Sequence, residues 1–278
     1  CVNGVMSTEH ALPVGMPQGS YFGPFGYPKY SDPIARIAER NGVLYHQYAD
    51  DIQLYVFCDV KNVESQKSKL QQCIREIKDW STCNLLKLND SKTEFMVVGS
   101  RHARSVPDVQ SLQVGEVSVE AVNSARNIGV IMDGGLTMKD HVSAVCKSAY
   151  AQLRNIALVR RFITQEAAAT LIQTLVISRL DSMNSLLYGL PDSELNILQR
   201  IQNHAAKVVL QKKKCDHVTP LLESLHWLKV PFRIEYKLLL ITYRGLYGKA
   251  PAYLASQLGS YVPAGQLGAG GREWRVGR

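Results

Sequence analysis

The sequence predicts an α+β fold: an antiparallel sheet with helices over residues 1–134, followed by an all-helical region. Three observations carry this. Two β-rich apolar runs, 43–47 and 52–57, flank the turn signal Tyr48-Ala49-Asp50-Asp51. Around them, apolar residues recur at three- and four-residue steps over segments long enough for helices. Beyond about residue 135 strand-like runs cease and the helical period continues to about residue 245.

In chain order, residues 1–20 read as a short strand pair entering a Pro17-Gln18-Gly19-Ser20 turn. A helix is expected over 31–41, capped by Ser31 or Asp32, with Pro33 at the first helical position where its missing N–H is harmless. The hairpin follows at 43–57. Residues 62–84 predict a second helix, because Leu70, Cys73, Ile74, Ile77 and Trp80 share one face. Glu94 to Val98 reads as a strand, and two further short strands fit 109–119 and 127–131. Strand, helix, hairpin, helix, strand is an α+β order. In the helical region, Val142, Val145, Ala149, Leu153 and Ile156 line one face, and Thr164 caps a helix running to about Ile177. Asp192 or Ser193 caps another, with Leu195, Leu198, Ile201, Ala205 and Val208 inward. Pro231 opens one more, to about Gly245, with Tyr236, Leu239, Leu240 and Tyr243 at helical steps. The Gly- and Arg-rich end, Gly265 to Arg278, is expected to lack ordered structure. The expected divisions are 1–134, 135–262 and 263–278.

Composition is that of a folded chain able to bury one large core or two modest ones, with 46% hydrophobic and 20% charged residues in 278. No apolar run of about 18 residues predicts a membrane span. Six cysteines, at 1, 58, 73, 83, 146 and 215, form no Cys-x-x-Cys pair, which argues against a zinc knuckle and fits a reducing compartment. The net charge of +8 is unevenly placed: residues 1–140 carry 14 Lys/Arg and 16 Asp/Glu, whereas residues 141–278 carry 18 and 8. An acidic half joined to a basic half suits metal binding in one part and phosphate contact in the other. A basic solvated surface explains the second half equally well. Lys212-Lys213-Lys214 is the densest basic cluster.

The chemistry-bearing feature is the Asp50-Asp51 pair. A hairpin turn would hold both carboxylates at one end of a sheet, where adjacent like charges repel and call for a cation or full solvation. Mg²⁺, which prefers one or two carboxylates plus phosphate oxygens, meets that need. Asp is also common in exposed turns, and the four residues alone do not decide between the two. His141, His217, His226 and Trp227 form no metal-ligand spacing and read as structural.

Gly15-Met16-Pro17-Gln18-Gly19-Ser20 stands about 30 residues before Asp50. Such a loop followed by a Tyr-Ala-Asp-Asp hairpin resembles the palm of reverse transcriptases, and the flanking residues resemble the non-LTR (LINE-type) retrotransposon group. Trp80, Leu86-Lys87-Leu88-Asn89, Lys92-Thr93-Glu94 and Asn127-Ile128-Gly129-Val130 fit that group in order. So do His217-Val218-Thr219-Pro220, Leu225-His226-Trp227-Leu228 and Ala250-Pro251-Ala252-Tyr253-Leu254. The likeness spans roughly residues 3–262.

The resemblance implies a partial polymerase palm followed by a helical thumb-like region. It implies RNA-directed DNA polymerase chemistry: deoxynucleotides are added to a primer 3′ hydroxyl by metal-assisted phosphoryl transfer, with Mg²⁺ as cofactor. RNA template, DNA primer and deoxynucleoside triphosphates are the implied partners, with no membrane. By the same resemblance Asp50 is a metal ligand, Asp51 the supporting carboxylate, and Lys92 a group near the departing pyrophosphate. Pro17, Gln18, Gly19 and Ser20, with Tyr48 and Ala49, would contact nucleotide and template, Gly19 because a Cβ would obstruct close approach. Ile128 and Gly129 would hold the primer end; as bare residues they read as a buried strand with one Gly. Pro28 falls where these enzymes run an uninterrupted helix, and it is expected to disfavour helix at the residue before it. The family's first metal-binding strand, its fingers and an N-terminal endonuclease region are expected to lie outside this sequence, so the chain alone is expected to be inactive. Two other readings remain: an inactive remnant that binds nucleic acid through its basic helical half, and a palm-like site for another phosphoryl transfer such as nucleotide cyclisation. The Pro-Gln-Gly loop argues against the last.

Overall fold

The computed structural model describes residues 19–99, 109–115, 117–261 and 273–276. The expected strand pair over 1–20 lies outside these residues except for Gly19 and Ser20. The fold is mixed, with helices and short antiparallel strand pairs. It divides into one unit of residues 1–128 with 134–136 and a second of 129–133 with 137–278.

The first unit opens with helix α1, Gly23–Arg40, followed by strands β1, Leu44–Tyr48, and β2, Asp51–Tyr55. Helix α1 begins eight residues before the expected start at Ser31 and runs through both Pro28 and Pro33. Each proline denies the helix one i→i−4 hydrogen bond. Ser31, expected as a cap, is instead a buried helical residue whose hydroxyl donates to Tyr27 O at 2.8 Å and Pro28 O at 3.4 Å. Burial of Ile34, Ile37 and Ala38 holds this face against the core, at about 1.5–3 kcal/mol for each large side chain, which offsets the missing bonds.

Strands β1 and β2 pair antiparallel from Leu44↔Tyr55 to Tyr48↔Asp51. Their alternation is the period of two that the sequence predicts: Tyr45, Gln47, Ile52 and Leu54 are half-buried while Leu44, His46, Tyr48 and Gln53 are exposed. Helix α2, Val63–Cys83, matches its expected span and buries Leu70, Cys73 and Ile77. These join Ile34, Ile37, Val43, Leu112 and Val114 in one core, with Trp80 packed at its margin.

Three strand expectations are corrected. Residues 94–98 form no strand; only Phe95 makes a bridge, to Ala121. The segment 109–119 is not one strand but most of a hairpin, β3, Ser111–Val114, and β4, Val117–Glu120, broken at Gly115 with φ +64°. The segment 127–131 is divided between β5, Ser124–Asn127, and β6, Val130–Asp133. Ile128 and Gly129 lie in the turn between them, with φ of +45° and +84°. A two-residue turn with both φ positive cannot be part of an extended strand.

The second unit is helical. Helix α3, Lys139–Val159, buries Val142, Cys146, Ala149, Leu153 and Ile156. Thr164 caps α4, Gln165–Ile172, its hydroxyl accepting from Ala167 N at 3.2 Å. The helical path continues through a π-helical turn, Gln173–Ile177, into α5, Ser178–Asp181. Helix α6, Asp192–Val209, starts with Asp192 inside the helix and Pro191 at the cap, so neither Asp192 nor Ser193 caps it. Leu198, Ile201, Ala205 and Val209 of α6 pack against Leu153, Ile172, Val176 and Ile177. Helices α7, Thr219–Ser224, α8, Val230–Leu246, and α9, Ala252–Ala255, follow. Helix α8 turns Val230 and Ile234 inward and leaves Tyr236, Leu239 and Tyr243 exposed. Fully buried Gln202 anchors its start, donating to Leu228 O at 2.8 Å, while Gln199 Oε1 accepts from Val230 N at 2.8 Å.

Of the tail from 263 onward, Glu273–Val276 forms strand β8, paired antiparallel with β7, Leu258–Tyr261. The rest lies outside the described residues. No helix among the described residues is long and apolar enough to cross a membrane.

Candidate active site

The β1–β2 turn presents the acids. Ala49, first of the two turn residues, has φ +54°, a left-handed conformation that costs an L-residue about 1–2 kcal/mol. Asp50 is the second turn residue, and Asp51 opens β2 opposite Tyr48. Tyr48, Ala49, Asp50 and Asp51 are all exposed. Among the described residues neither carboxylate has a hydrogen bond or salt bridge.

Helix α1 lies beside this tip. Gln47, a polar residue at an inward position of β1, donates from Nε2 to Ser31 Oγ at 2.8 Å and to Ala49 O at 3.2 Å. One side chain thus ties the turn backbone to the helix. Tyr27, one turn earlier on α1, has its phenol pKa raised above the usual 10.0 by burial first and by the negative charge of Asp50 second. Ser20 stands at the start of the same helix, its Oγ accepting from Gly23 N at 3.1 Å. Gly19 has φ +84°, so its backbone suits glycine whatever its neighbours. Pro17 and Gln18 lie outside the described residues.

The other candidates sit elsewhere. Lys92 ends a 3₁₀ turn, Asp90–Lys92, and is exposed. No hydrogen bond or ion pair joins it to Asp50 or Asp51 among the described residues. Ile128 is half-buried and Gly129 exposed in their turn. The preceding Asn127 donates from Nδ2 to Gln53 Oε1 at 3.0 Å, tying β5 to the exposed face of β2 two residues past Asp51.

Tyr27, Ser31, Gln47 and Asn127 were not singled out from sequence as site residues. For Gln47 a signal existed: it is the one polar residue on the inward face of an otherwise apolar alternation. Tyr21, Phe22 and Phe25 form an exposed aromatic cluster at the start of α1, with ring centroids 5.7–5.9 Å apart.

As a donor set, the turn fits part of a hard-cation site. Two adjacent exposed carboxylates repel, and a cation relieves that repulsion. Among the described residues no group of three His, Cys, Asp or Glu side chains stands together to hold a metal alone.

Residues 1–132 match the family described as reverse transcriptase (RNA-dependent DNA polymerase). The chain is 25% identical over 215 residues to the probable RNA-directed DNA polymerase from transposon X-element of Drosophila melanogaster, covering 74% of this chain and 23% of that protein. It is 22% identical over 219 residues to the probable RNA-directed DNA polymerase from transposon BS of the same fly, covering 75% and 23%. It therefore spans less than a quarter of the length of these relatives. No solved structure gives a significant match.

Proposed function

We propose that this chain, a member of the LINE-type reverse transcriptase family through residues 1–132 and its transposon relatives, carries part of the nucleotidyl-transfer site of an RNA-directed DNA polymerase. The observation that carries the reading is the Asp50-Asp51 tip, exposed and without a cation partner among the described residues, tied to α1 through Gln47 and Ser31. The family uses divalent metal ions, and Mg²⁺ is the ion proposed here. Bound at Asp50, with Asp51 supporting, it would supply positive charge to the attacking and leaving oxygens of an in-line displacement.

The chain's own residues would position the reactants. Ala49 keeps the tip small and Tyr48 flanks it, leaving room for a primer terminus beside the acids. Pro17, Gln18, Gly19 and Ser20 would contact nucleotide and template from the start of α1. Ile128 and Gly129 would support the primer strand, next to Asn127 and its bond to Gln53. Lys92 would screen or protonate the departing pyrophosphate. RNA template, DNA primer and deoxynucleoside triphosphates are the proposed partners.

Mn²⁺, used as a paramagnetic probe, tests the site on the chain itself. Amide resonances of residues 48–52 are expected to broaden at low-millimolar Mn²⁺, to be relieved by competing Mg²⁺, and to be unaffected in the Asp50→Asn variant. Broadening that survives Asp50→Asn would refute the assignment. With two carboxylates at the tip and no third beside them among the described residues, no primer extension on an RNA template is expected from this chain; robust extension abolished by Asp50→Ala would overturn that expectation. A second reading, nucleic-acid binding without catalysis, is favoured by the 18 Lys/Arg against 8 Asp/Glu in residues 141–278.

A further inference from the structure

The helical unit contains a cleft of about 620 Å³ at the C-terminal end of α6. Its cations are Arg200 and Lys207 on the helix and Lys212 and Lys214 in the segment that follows, and no carboxylate lines it. That segment is folded back over the helix: Lys207 Nζ donates to Lys214 O at 2.5 Å, and Lys212 N to Lys207 O at 2.9 Å. The basic cluster read from the sequence is therefore held against a helix face. The nearest acid of the segment, Asp216, accepts from Lys213 N at 2.8 Å and closes a turn beside the cleft.

Cations near a helix C-terminus complement its dipole, and one or two would serve that end. Arg160 already does so. Its buried guanidinium donates to Val208 O and Val209 O, which leaves four further cations lining one cleft. Like charges so placed repel, and an anion relieves that repulsion.

The rest of the lining indicates which anion. Ala157, Val208 and Val218 give the cleft apolar surface, and Asn203 adds an amide side chain. His204, exposed on the same helix, meets the Tyr150 ring edge-on at 6.3 Å between centroids. A duplex offers only its backbone to such a surface and leaves the apolar lining and the rings unused. A single strand offers phosphates to the cations and an unstacked base to the apolar lining and the ring. A cavity of this size lies within the range that encloses a nucleotide-sized ligand.

We propose that this cleft binds single-stranded nucleic acid, with backbone phosphates on Arg200, Lys207, Lys212 and Lys214 and one base against His204 and the apolar lining. The proposal rests on the polymerase reading only for the choice of nucleic acid over other polyanions.

The test uses the full chain, a fluorescently labelled single-stranded RNA and the matching duplex, with anisotropy read between 50 and 200 mM salt. The variant Arg200→Gln/Lys212→Gln/Lys214→Gln is compared with Lys229→Gln/Lys237→Gln/Arg244→Gln, which removes the same charge from exposed positions elsewhere in the unit. The cleft variant is expected to lose at least tenfold in single-strand affinity. Its log–log salt slope should fall by about 2, from about 0.7 for each of three phosphate contacts. The control is expected to change affinity less than threefold. His204→Ala is expected to weaken binding about fivefold or more with the slope unchanged, the signature of lost stacking. Equal losses in the two triple variants, or duplex bound as tightly as single strand, overturn the proposal. Asp50→Asn separates the two readings: it abolishes the Mn²⁺ effect at the hairpin and leaves cleft binding intact.

Discussion

Arg160 offers the sharpest test of how the helical unit is held. Its side chain is 9% exposed and its guanidinium spans three carbonyls. Nε donates to Val208 O at 3.0 Å, Nη2 to Val209 O at 2.7 Å, and Nη1 to Ile163 O at 2.9 Å. Two of those carbonyls end α6; Val208 O also accepts from Gln211 N at 3.3 Å, which leaves Val209 O the more dependent on the guanidinium. Arg160→Met keeps the apolar stem and deletes every donor. A buried carbonyl left unpaired costs about 1–3 kcal/mol. With about 2 kcal/mol for buried Val209 and about 1 for half-buried Ile163, less about 1 for added apolar burial, the loss is about 2 kcal/mol. Arg160→Lys keeps one charged donor without the fork and should lose about half as much. Urea unfolding is followed by Trp227 fluorescence in a Trp80→Phe/Trp274→Phe background, so that the signal reports the helical unit. For a slope of about 2 kcal/mol/M, Arg160→Met lowers the midpoint by about 1 M. A drop below 0.5 M, or equal drops for Met and Lys, refutes the argument that the fork caps α6.

Three further outcomes follow from the first unit. Ala49→Gly should raise stability by about 0.5–1 kcal/mol in urea unfolding, because glycine takes the φ of +54° without strain; a loss of stability would mean that the turn is not left-handed there. Asp50→Asn should lower the Tyr27 phenol pKa, read by NMR of ring-labelled tyrosine, yet leave it above 10.0, since burial is the larger cause and the Asp50 charge the smaller; an unchanged value would separate Asp50 from α1. Glu76, held by hydrogen bonds from Gln72, Arg40 and Asn41, has its pKa lowered from 4.5 to about 2. Its folded-state pKa is depressed, so its contribution is complete above about pH 4.5 and is lost as pH falls towards 2. Glu76→Gln should flatten the decline in stability within that window, and an unchanged acid profile would show that the hydrogen bonds do not hold the charge.

The sequence made the hairpin legible because its signals are local. Alternating residues on both sides of Tyr48-Ala49-Asp50-Asp51 fix which face is buried, and a one-residue slip would expose Ile52 and Leu54. Helix α2 and the faces of α3 and α6 were legible for the same reason: apolar spacing sets burial directly. The motif order also pointed to the reverse transcriptase family before any coordinates.

The errors came where local preference lost to tertiary contact. Pro28 argues against helix at the residue before it and Pro33 reads as a helix start, yet burial of Ile34, Ile37 and Ala38 carries α1 through both. The apolar content of 94–98 and 127–131 reads as strand, but Ile128-Gly129 turns, and Phe95 meets only Ala121. Sequence by itself thus determined the acid-bearing hairpin and the main helix faces, since each depends on residues close together in the chain. Only the tertiary structure decided that Gln47 fastens the acid turn to Ser31, 16 residues away, and that Arg160 closes α6 from 48 and 49 residues away. It likewise decided that Lys212 and Lys214 line the same cleft as Arg200. Such pairings depend on where the packed core places distant backbone segments, and no local periodicity encodes that.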